Sequence, residues 1–99
     1  MRLTNQQKTA ILAACRRHFG DAECWLFGSR VNDAKRGGDI DLYIETAETD
    51  ADKLLTEKLA FLVALDHELG EQKIDVVIRR LASEALPIHN IAKKTGVRL

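Results

Sequence analysis

Two short stretches of the chain alternate strictly between two faces, with a helical stretch between them. In Asp39-Ile40-Asp41-Leu42-Tyr43-Ile44 the apolar Ile40, Leu42 and Ile44 take one side, and Asp39, Asp41 and Tyr43 take the other. From Lys73 to Ile78, Ile74, Val76 and Ile78 alternate with Asp75 and Val77. From about Asp50 to Leu69 the spacing is helical, placing Leu54, Leu55, Leu59, Leu62 and Leu65 on one side, and Gly70 is suited to stop the helix. Such a pattern predicts strands with an apolar face and a helix whose own apolar side covers it.

The remaining elements follow from local signals. Thr4 and Gln7 form a capping-box pair, and Ile11, Cys15 and Phe19, with Leu12 beside them, give the first helix one apolar stripe that Gly20 ends. Cys24-Trp25-Leu26-Phe27 is too short for a helix and reads as a buried strand, followed by a polar loop over Val31 to Gly38. Ser83 can cap a helix, but Pro87 fits only a first turn, so a break near Leu86 and a helix from Pro87 to Thr95 are expected. Val97-Arg98-Leu99 reads as a short terminal strand. The order α-β-loop-β-α-β-α predicts the α/β (α+β) class: a small mixed sheet of three to four strands with helices packed mainly on one face. With 99 residues, 45% of them apolar and 30% charged, one core and a single domain over residues 1–99 are expected.

Charge narrows the function classes. Fifteen basic and fifteen acidic residues cancel. A dedicated nucleic-acid or anionic-membrane binder would carry a basic surplus, so neither is expected. Little repulsion keeps copies apart, which favours association as a hetero-oligomer or homodimer. Cys15 and Cys24 form no C-x-x-C pair and read as core thiols in a reducing compartment. The first residues show no leader-like apolar run, and no stretch approaches the roughly 20 apolar residues of a membrane span, so a cytoplasmic location is expected.

The candidate chemistry lies in the aspartates. Asp39 and Asp41, two apart on one strand, leave the same face with Cα atoms roughly 6.5–7 Å apart. Carboxylates aimed at one spot repel unless a cation lies between them or one takes a proton. Hard divalent ions take oxygen ligands, and in phosphate chemistry one or two carboxylates share the ion with substrate oxygens. Asp75 becomes the third ligand if its strand pairs beside the second. Upstream, Gly28-Ser29 follows an apolar strand, where a glycine admits backbone amides to a phosphate and a serine adds a hydroxyl donor; Arg30 can pair with phosphate oxygens. Each feature has a plainer reading: a solvated D-x-D, an edge charge that discourages aggregation, an ordinary turn. No G-x-S-x-G frame and no G-x-x-x-x-G-K-[ST] loop is present, and His18, His67 and His89 read as surface or packing residues on separate helices.

The run from Phe27 through Gly28-Ser29-Arg30 to Gly38-Asp39-Ile40-Asp41-Leu42-Tyr43-Ile44, with Lys73-Ile74-Asp75-Val76-Val77-Ile78, resembles the motif of the polymerase-β-like nucleotidyltransferase superfamily. Size, helix order and the closing Ile88 to Val97 run resemble its minimal nucleotidyltransferase branch, antitoxins of HEPN/MNT toxin–antitoxin pairs. The resemblance implies a polymerase-β-like core and transfer of a nucleoside monophosphate from a triphosphate to a hydroxyl with Mg²⁺, two ions being expected. By position, it implies that Asp39, Asp41 and Asp75 are catalytic and hold the metals, and that Gly28, Ser29 and Arg30 hold the triphosphate. It further implies ATP as the substrate and a tyrosine of a HEPN-domain ribonuclease toxin as the acceptor. The alternative is a non-catalytic antitoxin that blocks the toxin sterically. Val31, Asp33 and Gly38 depart from the residues common in the family at those positions.

Overall fold

A computed structural model describes residues 3–27, 40–70, 73–81 and 86–99. In chain order the elements are α1 (Asn5–Phe19), β1 (Glu23–Phe27), β2 (Ile40–Thr46), α2 (Ala51–Leu69), β3 (Ile74–Arg80), α3 (Pro87–Thr95) and β4 (Val97–Arg98). The strands form one mixed sheet in the order β3-β2-β1-β4. β2 and β3 are parallel, so their link must cross over the sheet, and α2 is that crossover. β1 lies antiparallel to both β2 and β4.

Local hydrogen bonding sets the helix ends. The Thr4 hydroxyl accepts the Gln7 amide at 3.0 Å while Gln7 Oε1 accepts the Thr4 amide at 2.9 Å, the reciprocal cap expected from the sequence. Asp50 caps α2 by accepting the amides of Asp52 and Lys53. Gly20 and Gly70 end α1 and α2 at φ 65° and 75°, where a side chain would be strained. Pro87 opens α3 as its shape requires. Here the N-terminal amide of Leu86 is taken by His89 Nδ1 at 3.1 Å, an imidazole doing what a cap side chain usually does. The expected cap at Ser83 lies outside the described residues.

Two helices cover one face of the sheet and one covers the other. On the first face Ile40, Leu42, Ile44, Leu26 and Val76 meet Ile11, Cys15 and Phe19 of α1 and Leu54, Phe61 and Leu65 of α2. Phe19 and Phe61 pack edge to face at 5.3 Å between centroids. His18 crosses between the same helices to Glu57 at 2.8 Å. The opposite face carries a smaller cluster of Trp25, Tyr43 and Ala92 under α3.

The phase of α2 differs from the sequence expectation. Leu54 and Leu65 face the core as expected, but Leu55 and Leu59 are 58% and 57% exposed, and Phe61 is fully buried instead. Leu62 is half-buried against the core. The helix therefore has apolar residues on two sides, and the larger Phe61, in line with Leu54 and Leu65, sets which side turns inward.

Candidate active site

The sheet face beneath α3 is organised in three rows across β1, β2 and β3. Register pairs Phe27 with Asp41 and Asp41 with Asp75. The next row is Trp25, Tyr43 and Val77, and the third is Glu23, Glu45 and Arg79. Successive rows are two residues apart, about 6.5–7 Å along the strands.

The first row brings two predicted residues together. Asp41 and Asp75 are direct neighbours on parallel strands, so their backbones are about 4.8 Å apart and their side chains leave the same face. Asp41 is half-buried and Asp75 exposed. On its other side Asp41 is paired with Phe27, the last residue of β1 and the one immediately before Gly28-Ser29 in the chain. Gly28, Ser29, Arg30 and Asp39 lie outside the described residues, as do Val31, Asp33 and Gly38. Among the described residues, no group of three or more His, Cys, Asp or Glu is placed to hold a metal ion. The described part of the set is one carboxylate pair, and two adjacent oxygen donors beside a solvent-open edge suit a hard cation completed by phosphate oxygens.

The second row is an apolar floor. Tyr43 is fully buried between Trp25, 5.4 Å away by ring centroids, and His89, which stacks on it at 5.7 Å. Burial raises the Tyr43 phenol above its ordinary pKa; the Arg79 guanidinium works against this and the Glu45 carboxylate adds to it.

The third row is an ionic lock that the sequence reading did not single out. Glu45 is 4% exposed and holds Lys93 Nζ of α3 at 3.0 Å and Arg79 Nη1 of β3 at 3.5 Å. Lys93 also lies 5.3 Å above the Trp25 ring, and Arg98 of β4 flanks that ring while pairing with Glu23 at 3.3 Å. The signal was present: the alternation of β2 and β3 continues past residues 44 and 78 to Glu45 and Arg79, two opposite charges in matching positions. This lock fastens α3 over the floor, and the carboxylate pair lies one row beyond that floor.

Other clefts lie away from this edge. One of about 690 Å³ runs between α1 and α2 beside Ala10, Ala13 and Ala64, on the far side of the sheet from the carboxylates. One of about 540 Å³ lies at the Glu45 and Arg79 end of the strands. Cys15 and Cys24 are both buried, and the neighbouring Cys15 thiol and burial together push the Cys24 thiol above its ordinary pKa.

The sequence model of the nucleotidyltransferase domain family matches residues 8–97, which runs from within α1 into β4 and includes the Asp41–Asp75 row. The chain belongs to that family. The four-stranded mixed sheet with three helices agrees with the polymerase-β-like nucleotidyltransferase fold, and nucleotidyl transfer is the activity of the family. A search of curated proteins gives no match. No described helix is long and apolar enough to cross a membrane.

Proposed function

We propose that this nucleotidyltransferase transfers AMP from ATP, with Mg²⁺, to a tyrosine hydroxyl of a partner HEPN-domain ribonuclease toxin, and so acts as its antitoxin. The observation that carries the transfer chemistry is the register of Asp41 with Asp75 beside the strand that leads into Gly28-Ser29. The partner and the acceptor rest on the resemblance of the whole motif set to minimal nucleotidyltransferases.

In this reading Asp41 and Asp75 hold Mg²⁺ together with Asp39. When bound, Mg²⁺ offsets triphosphate charge and stabilises the departing pyrophosphate. Gly28 and Ser29 offer an amide and a hydroxyl to the phosphate oxygens, and Arg30 adds a forked cation. Asp75, at the exposed end of the row, orients the acceptor hydroxyl and draws on its proton as that oxygen attacks the α-phosphorus. The new O–P bond forms as the bond to pyrophosphate breaks, and positioning and charge supply most of the acceleration. The close packing of Trp25, Tyr43 and His89 under α3 serves that positioning.

The test is labelling of a partner encoded in the neighbouring reading frame. With α-labelled ATP and Mg²⁺, the wild type should add AMP to a partner tyrosine, and Asp41→Asn or Asp75→Asn should abolish the label while the variant stays folded, with a cooperative unfolding transition. Labelling by Asp41→Asn at the wild-type rate would refute the role given to that carboxylate. Neutralisation of the toxin by the Asp39→Asn/Asp41→Asn variant without nucleotide would establish the steric alternative instead.

A further inference from the structure

The outward side of α2 carries Leu55, Leu59 and Val63, which are 58%, 57% and 62% exposed. Single exposed leucines are normal on soluble proteins, but three at four-residue spacing form a continuous ridge about 12 Å long. Asp52 stands three residues before the ridge and Asp66 three residues after it. At about 100° per residue, both fall within the same arc of the helix as the three apolar side chains. Both are exposed, and neither forms an ion pair among the described residues. The half-buried Leu62 lies at one margin of the arc, and Thr56 and His67 at the other. The ridge is thus capped at both ends by carboxylates about 21 Å apart along the axis.

That charge pattern selects the occupant. A second copy pairing antiparallel about Leu59 would set Asp52 against Asp66 twice. Pairing parallel would set Asp52 against Asp52 and Asp66 against Asp66. Either two-fold arrangement opposes like charges at both ends, which is destabilising. A foreign helix with cations in those places has the opposite sign at both ends.

We propose that the Leu55–Leu59–Val63 ridge is the docking surface for an amphipathic helix of a partner protein, one with its own apolar ridge and a Lys or Arg at each end, about fourteen residues apart. α2 covers the face of the sheet opposite the carboxylate row. Docking therefore needs neither metal nor nucleotide and does not rest on the transfer chemistry. It is the helix-in-groove mode, with charge fixing register and apolar contact giving affinity.

The probe is a synthetic labelled amphipathic helical peptide with leucines at four-residue spacing bracketed by lysines, compared with the same peptide bracketed by glutamates. By fluorescence anisotropy at low salt, the wild type should bind the lysine peptide at least about ten-fold more tightly than the glutamate peptide. Leu59→Lys should lose this binding by a similar factor while keeping the wild-type urea midpoint, since the side chain is exposed. Asp66→Lys, a cation compatible with the last turn of a helix, should weaken the lysine peptide and strengthen the glutamate peptide. Asp41→Asn should bind both peptides as the wild type does. Equal or absent binding of the two peptides, or binding unchanged in Leu59→Lys, overturns the proposal. So does sedimentation showing a wild-type dimer that Leu59→Lys dissolves, which would make the occupant a second copy.

Discussion

Truncating two leucines on α2 separates the two apolar sides of that helix. Leu65 is 0% exposed among Phe61, Ile11 and the β2 side chains, whereas Leu59 is 57% exposed. Leu65→Ala removes a fully buried side chain and leaves a cavity that neighbours fill only in part, at a cost of about 2–5 kcal/mol. Taking about 3 kcal/mol, and about 4–8 °C per kcal/mol for a domain near 100 residues, Tm should fall by about 12–24 °C. Leu59→Ala loses contact over less than half of its surface and gains from the better helix propensity of alanine, so its change should stay within about 0.5 kcal/mol. Urea unfolding followed by helical circular dichroism measures both, and m should be the same for the two variants and the wild type. Similar losses for the two, or a larger loss for Leu59→Ala, would refute the phase of α2 and with it the exposed ridge.

Three further outcomes follow from the same structure. Glu45→Ala leaves Arg79 half-buried without its carboxylate and releases Lys93, and should cost about 2–3 kcal/mol in thermal unfolding, less than a fully buried pair because Lys93 is 52% exposed. Glu48 accepts the Asp50 amide, pairs with Lys53 at 3.1 Å and accepts the Thr49 amide, which holds its pKa below the ordinary 4.5. Because the folded value is the lower one, the wild type should exceed Glu48→Gln in stability above pH 4.5, and the difference should vanish as pH falls through the depressed value; a difference that grows on acidification would contradict this. Gly96→Ala points a Cβ at the carbonyl oxygens of Ala92 and Leu26, both backbone, so it should push β4 away from β1 and lower stability by about 1–3 kcal/mol; an unchanged Tm would refute the close approach.

Local features of the fold were legible because their physics is local. The Thr4–Gln7 cap, the Pro87 start and the alternation of Ile40, Leu42 and Ile44 each depend on neighbours within a few residues. The phase of α2 was not legible from leucine spacing, since Leu54–Phe61–Leu65 and Leu55–Leu59–Val63 each form a helical stripe and only packing against Phe19 and β2 chooses between them. At the candidate site, Asp41 and Asp75 could be named from their strands, but their adjacency depends on parallel pairing across the α2 crossover, a long-range fact. The charged row depends on the same long-range pairing: Glu45 and Arg79 are 34 residues apart in sequence, and Lys93 reaches Glu45 from a helix on the second face.

The central claim is that Asp41 and Asp75 act together on a metal-bound triphosphate, and calorimetric titration with ATP and Mg²⁺ tests it most directly. The wild type should bind the Mg²⁺–ATP complex, and Asp41→Asn and Asp75→Asn should each weaken it by at least about ten-fold, about 1.4 kcal/mol, while both variants stay folded. Undiminished binding in both variants would contradict the claim.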